Sequence, residues 1–481
     1  MEPSGKLPPV EEDSADPKRV AAACIALRDV FGERLVTSLA IRDHHSHGEG
    51  LPVVGLPDAV ILPRTNEEVS AIARICHASR APVIPFGAGT SVEGHVAAVR
   101  GGICVDFSEM DRLLSVSPQA LDCRVQAGIR REQLNSQIRS FGLFFPVDPG
   151  ANASIGGMVG TRASGTAAVR YGTMRENVLG LTVVTPDGRI LTTGGRARKS
   201  SAGLDLTRLY VGSEGTLGFV TEVQLRLYGI PETIAAATCQ FPSVESAVDT
   251  AVAALLMGIP VARMELMNTL QMRMCIDYSR LDGVDAKPTL FLEFHGSDRS
   301  VSEQIELFQG LSAEAGGGGF AYATQVEDRN RLWKARHDAY YAAKALRPGS
   351  SVMGTDACVP ISELSRCIAD TEADIATTGL PVSILGHVGD GNFHLNIVYY
   401  PEDPEERRQA EQLAERVALR AIQLGGTCTG EHGIGTHKLE LLEVERGEAV
   451  RLMHAIKQSL DPHGIMNPGK MLKHDERDMR D

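Results

Sequence analysis

The chain of 481 residues is 43% hydrophobic and 23% charged, the proportions of a globular protein, and is too long for one ordinary core. Its net charge of −13, without a lysine- or arginine-rich block, argues against nucleic acid as the main partner. No apolar run approaches the roughly 18 residues of a membrane span. Nine scattered cysteines with no CxxC pair suggest reduced thiols inside a cell, neither a disulfide framework nor a zinc ribbon.

The opening MEPSGKLPPVEEDSADP is acidic and Pro/Ser-rich, unlike a signal or transit peptide, and reads as a disordered lead-in. From position 57, DAVILP and PVIPF are strand candidates on either side of NEEVSAIARICHASR, whose apolar spacing predicts a helix capped by Asn66. GGICVDF and DCRVQAG follow as strands, then RREQLNSQIRSFG as a helix stopped by Gly142. VLGLTVVTPDGRILTTGG reads as a hairpin turning on Pro-Asp-Gly, and GFVTEVQLRLY as an alternating strand.

Beyond Pro231 glycine thins out and strand–helix units repeat. TIAAATCQF, VARMELM and TLFLEFHGS are strands separated by helices, and a helix near 300–315 leads into a loop, AEAGGGGF. EDRNRLWKARHDAYYAAKAL predicts one long helix, and SVMGTDACVP, PVSILGHVG and NFHLNIVYY further strands. This alternation suggests an α+β unit built on one antiparallel sheet.

Three small-residue loops lie in the first half: PFGAGTSVEGH, DPGANASIGGMVGTRASG and GSEGTLGFVTEV. None is a GxGxxG or Walker loop, yet glycines admit close backbone approach and Thr90 and Ser91 add hydroxyls, as a pyrophosphate requires. PFGAGTS, TRASG, RYGTMRENVLGL and GSEGTLGFVTEV resemble the FAD-binding domain of the vanillyl-alcohol oxidase/p-cresol methylhydroxylase (PCMH) superfamily. GHVGDGNFH, GEHGIG and DPHGIMNPGK narrow the resemblance to the FAD-linked D-2-hydroxy acid dehydrogenases. Within these it is nearest the cytochrome-coupled D-lactate type, with glycolate oxidase D-subunits and D-2-hydroxyglutarate dehydrogenases as neighbours.

The resemblance implies an α+β fold: a two-part PCMH-type FAD-binding domain at 57–235, after a lead-in and helix at 1–56. An α/β cap with an antiparallel sheet follows at 236–430, and 431–481 returns to the FAD-binding domain. It implies FAD contacts at Pro85, Phe86, Gly87, Ala88, Gly89, Thr90 and Ser91, then at Asp148, Pro149, Gly150, Ser154, Gly157, Thr161, Ser164 and Gly165. Glu214, Gly215, Val220 and Asn467 complete the set, with Lys470 beside the last. Covalently flavinylated relatives carry a histidine in the place of Thr90, so non-covalent FAD is expected.

GHVGDGNFH sets His387 and His394 around an Asp-Gly corner, and alone would be a hairpin with two hydrogen-bonded histidines. GEHG adds Glu431 and His432. Two imidazoles and a carboxylate with open positions form the pattern of a catalytic metal site, which zinc, manganese or iron would all suit. In the resembled dehydrogenases the residues matching His387, His394 and Glu431 are metal ligands, with Asp390 shaping the turn. His432 is then the base that takes the hydroxyl proton of a 2-hydroxy acid. Arg336 matches an arginine that binds the substrate carboxylate, with Asn396 as a second donor. Relatives that handle a second carboxylate carry a lysine where this chain has Gly354, two residues before Asp356, and a small hydroxyl residue where it has Tyr340. A short or apolar tail such as that of D-lactate is therefore expected. Cys428, beside GEHG, reads as packing.

The electron acceptor is left open among cytochrome c, a quinone and an electron-transfer flavoprotein, and a homodimer is possible. The location expected is cytoplasmic, at the inner-membrane surface, or mitochondrial after loss of a presequence. Rival readings are 2-hydroxyglutarate dehydrogenase, a glycolate oxidase subunit, and a flavin-binding protein without turnover. Mere flavin binding would need none of His387, His394, Glu431 and His432.

Overall fold

The computed structural model describes residues 16–50, 55–281 and 284–473, so the acidic lead-in up to residue 15 lies outside the described residues. The helix Pro17–Phe31 is capped by Asp16 and buries Val20, Ala23, Leu27 and Phe31 at helical spacing. It packs with the helix Asn66–Ser79 on a four-stranded sheet, in which Ala59–Ile61 and Val83–Phe86 both run parallel to Ile103–Asp106. The N-cap of the second helix is Thr65, whose side chain accepts the amide of Glu68. Asn66 is the first helical residue, and its amide instead donates to Glu222.

An antiparallel five-stranded sheet follows, with Phe219–Arg226 at its centre between Asp122–Gln126 and Val178–Val184. The buried–half-buried alternation along Phe219–Arg226 matches a strand with one face in the core. The predicted hairpin forms as Val178–Val184 paired with Ile190–Gly194.

The second half is an eight-stranded, wholly antiparallel sheet between two helical layers. Helices Val244–Leu256, Asp298–Glu314, Leu364–Ile375 and Pro404–Gln423 share the larger core. Thr269–Ser279, Val326–His337 and Ala339–Ala345 cover the other face. Three expectations are corrected here. The AEAGGGGF loop enters an edge strand, Gly318–Ala323. The long helix breaks at Asp338, whose carboxylate is drawn to Ser279 and Lys334 while Gln271 takes the carbonyl of Ala339. SVMGTDACVP splits into Ser351–Gly354 and Ala357–Cys358, because Leu395 N meets Thr355 Oγ1 in place of the Thr355 carbonyl, which faces His394 Nδ1.

The C-terminal segment comes back to the first sheet. Ile465 and Met466 are buried in its core, and Val83 exchanges backbone hydrogen bonds with Ile465 and Asn467.

Candidate active site

The three glycine-rich loops converge. A Cβ on Gly87 would collide with Ser154 Oγ, and one on Gly215 would lie 2.7 Å from Pro85. Glu214 donates its amide to Gly160 at 2.9 Å, and Ser154 caps the helix Ile155–Thr161 by accepting from Gly157. Gly89 and Gly215 adopt φ of +70° in both loops, a conformation that suits glycine. Asn467 ties the construction together, donating to His95 O at 3.1 Å and Glu214 O at 2.7 Å. Ser91 Oγ and Asn467 Oδ1 are buried without a protein partner, as fits a polar ligand seated among the loops. Lys470 is buried on the carbonyls of Ala97 and Pro468, and burial pushes its amine down to about 7.

Several groups expected at the flavin also have partners within the protein. Asp148 accepts from Thr166 Oγ1 and the amide of Ala167 and pairs with Arg263 at 3.0 Å. The Glu214 carboxylate accepts the amides of Ile434 at 2.7 Å and Gly435 at 2.9 Å. Thr161 turns back to Gly157 O, Val220 sits in the central strand, Gly150 is exposed, and Gly165 lies against Asp148.

The histidine corner forms where Val382–Gly386 turns into Asn392–Tyr399 through Val388–Asp390. Gly386 lies so close to Phe393 that no Cβ fits, and Gly391 takes φ +77° beneath the carbonyl of Val359. The tight turn brings the His387 and His394 rings to 5.3 Å, nearly perpendicular. Glu431 Oε1 lies 3.1 Å from His387 Nε2 and 3.4 Å from His394 Nε2. Ligands bonded tetrahedrally at about 2.1 Å stand about 3.4 Å apart, so this donor set fits a zinc-sized ion. Asp356, His394 and His432 form a second group at ligand spacing. There Asp356 Oδ2 already accepts from Thr429 Oγ1, Glu431 N and His432 N, and Oδ1 from Asn392, so the carboxylate anchors the GEHG loop.

Burial opposes charge throughout this cluster, and at His387, Glu431 and His432 the partners win. His387 is held well above its ordinary value by Glu265 and Glu431, and Glu431 well below by His387 and His394. Burial raises Asp390 to about 7 against the pull of His387. His432 stacks on His394 at 5.3 Å and 11°, with Nδ1 3.6 Å from Glu93 Oε1. Its basicity is raised against burial by Asp356 and Glu93. Glu93 also meets Lys438 at 2.9 Å and His437 at 3.1 Å. Gly433 packs on Glu214 and His95, which seats the GEHG loop directly on the first and third glycine loops.

Arg336 reaches the cluster from the helix Val326–His337, its Nε 2.8 Å from Glu265 Oε2, while Glu265 Oε1 meets His387 Nδ1 at 2.5 Å. Asn396 is buried and donates to Gln271 Oε1 at 3.1 Å. Gly354 is its register partner, with open space where a Cβ would stand. Tyr340 is 45% exposed against Tyr341, beyond the break at Asp338. Cys428 is buried in a small core beside the loop. Glu93, Glu265 and Asp356 were not singled out as site groups from the sequence. Glu265 is an isolated acid in an unremarkable strand, whereas Glu93 lies within PFGAGTSVEGH and Asp356 within the stretch read for selectivity.

A model of the FAD-binding domain matches residues 57–194, and one described as the C-terminal domain of FAD-linked oxidases matches 230–471. The chain belongs to the FAD-linked oxidases. Its cofactor is FAD. It is 49% identical to a "Probable D-lactate dehydrogenase, mitochondrial" of Danio rerio, over 96% of this chain and 93% of that one. It is 43% identical to a "D-lactate dehydrogenase [cytochrome], mitochondrial" of Arabidopsis thaliana, over 93% and 79%. The fold matches that of p-cresol methylhydroxylase with a TM-score of 0.78 at 17% identity, covering 95% of this chain and 97% of that one. The α+β, PCMH-type architecture expected from the glycine loops is the architecture of this family. Among the described residues no helix is long and apolar enough to cross a membrane.

Proposed function

We propose that the protein oxidises D-lactate, or a D-2-hydroxy acid of similar size, to the 2-oxo acid. The observation that carries the reading is the seating of the GEHG loop: Gly433 against Glu214 and His95 on one side, Glu431 against His387 and His394 on the other. One short segment thereby joins the FAD loops to the three-ligand set. Bound FAD supplies the acceptor for the C2 hydride, and a divalent ion held by His387, His394 and Glu431 supplies a Lewis acid for the hydroxyl.

The chain's own side chains do the rest. Arg336 has its Nε occupied by Glu265, which leaves both terminal nitrogens for a bidentate grip on the substrate carboxylate. Asn396 and Tyr340 are the further substrate-binding side chains in this reading. His432 accepts the hydroxyl proton on Nε2, since its Nδ1 is turned toward Glu93. Gly354 offers no cation to a distal carboxylate, which favours a methyl-sized tail. FAD is bound without a covalent link, because Thr90 stands where a histidine would be needed. In this reading 57–235 holds the flavin, 236–430 covers the substrate and 431–481 joins the two. Electrons then leave for an external acceptor, and the name of the Arabidopsis relative speaks for a cytochrome. The names of both relatives speak for a mitochondrion.

Anaerobic flavin bleaching tests the reading with D- and L-lactate, glycolate and D-2-hydroxyglutarate. D-lactate should bleach the flavin, L-lactate should not, and 2-hydroxyglutarate should be slower. Fastest bleaching by 2-hydroxyglutarate overturns the substrate, and bleaching by none of the four overturns the activity.

A further inference from the structure

The strand Val261–Met267 lies in the middle of the large sheet, next to the strand Val382–Gly386 that His387 follows. Glu265 on this strand is fully buried, and its two carboxylate oxygens serve different masters. Oε1 faces His387 Nδ1 at 2.5 Å, and Oε2 faces Arg336 Nε at 2.8 Å. We propose that Glu265 is a positioning residue that aligns the ion site and the substrate clamp together, through His387 on one oxygen and Arg336 on the other. The inference rests on the functional reading above and deepens it.

An ionised carboxylate only accepts hydrogen bonds, so the proton on the His387 ring must lie on Nδ1. In the neutral ring that an ion requires, that choice leaves the Nε2 lone pair on the side of Glu431, where the ion would sit. The same logic acts on the arginine. With Nε donated to Glu265, the guanidinium plane is fixed and its outer edge is left for a carboxylate. A buried carboxylate with one partner removed would be left part-unpaired, so each contact supports the other. A purely structural role would be to pin the helix Val326–His337 onto the sheet, and the two roles predict different losses.

Glu265→Gln, in the FAD-loaded enzyme, separates them. Glutamine keeps the shape but replaces one acceptor by an N–H donor. If that donor faces His387, the ring must carry its proton on Nε2, where the ion belongs. If it faces Arg336, two donors meet and the guanidinium turns away. Zinc and manganese binding, each measured against a chelating dye, should weaken about 10–100-fold. The KM for D-lactate at saturating ion should rise about tenfold or more, with FAD content unchanged. Unchanged ion affinity and KM overturn the proposal, whether or not the melting temperature falls. If wild-type enzyme binds neither ion, the ion site itself fails, and the proposal with it. Should the variant not fold, imidazole-nitrogen NMR of zinc-loaded wild type decides, with His387→Gln assigning the signal. A His387 ring protonated at Nδ1 supports the proposal, and one protonated at Nε2 overturns it.

Discussion

His432 has one ring face on His394, its Nδ1 toward Glu93 and its backbone amide on Asp356, so three contacts fix a side chain that is still partly open to solvent. Such fixing is what a base needs, because proton transfer demands a ring nitrogen within hydrogen-bond reach of one hydroxyl. His432→Asn keeps the amide contact and a polar side chain of similar reach but removes the titrating nitrogen. It should retain FAD and the ion while slowing reduction by D-lactate about 10²–10⁴-fold in stopped-flow measurements. Reduction at the wild-type rate would remove His432 from the mechanism. At this scale GEHG was legible as chemistry beside GHVGDGNFH and through the family resemblance that both motifs carry. Glu93 and Glu265 were not, because a lone glutamate near a strand says nothing about which cation it will meet.

Among the elements, the split strand 351–358 carries more than its length suggests. Its interruption frees Asp356 to accept four hydrogen bonds, two of them from the GEHG segment and one from Thr429 just before it. Asp356→Asn turns one acceptor into a donor facing other donors. It should destabilise the fold by about 1.5–3 kcal/mol in urea denaturation. Amide exchange at residues 431 and 432 should accelerate beyond that global change, and uniform acceleration would show that the loop has no separate dependence on Asp356. The other end of the same strand tests selectivity. Gly354 is opposite Asn396 and has room for a side chain, so Gly354→Lys should raise the ratio of D-2-hydroxyglutarate to D-lactate turnover. An unchanged ratio would place the determinant elsewhere. The break at Asp338 has a parallel cause: the helical pattern ran through it, but Ser279 takes its carboxylate and Gln271 the carbonyl of Ala339 after it.

For the whole molecule, the flavin loops come from residues between 85 and 220 while the ion ligands come from the large sheet and the GEHG loop. FAD and the ion should therefore be separable. A chelator should abolish bleaching by D-lactate and leave the protein yellow, and acid should then release free FAD to the supernatant. Full activity without metal would sink the ligand assignment, and flavin remaining on the precipitate would show a covalent bond despite Thr90. FAD release should also lower the melting temperature, restored on adding FAD back, because ligand binding to the folded state alone stabilises it.

The sequence by itself determined the local pieces and the chemistry they could carry. Hydrophobic period set strands and helices, glycine runs marked the loops where backbone can approach a ligand, and GHVGDGNFH and GEHGIG supplied imidazoles and a carboxylate at glycine-flanked corners. The tertiary structure decided which pieces meet. Thr65 caps the helix in place of Asn66, whose amide meets Glu222, 156 positions away. The carboxylates of Asp148 and Glu214, placed at the flavin by resemblance, are engaged by Arg263 and by the amides of the GEHG loop. Glu265 reaches His387 across 122 positions and Arg336 across 71. Such pairings depend on the order of strands in a sheet, and a buried acid takes whichever donors that order brings within 3 Å, since leaving its charge unpaired costs more than any local preference returns.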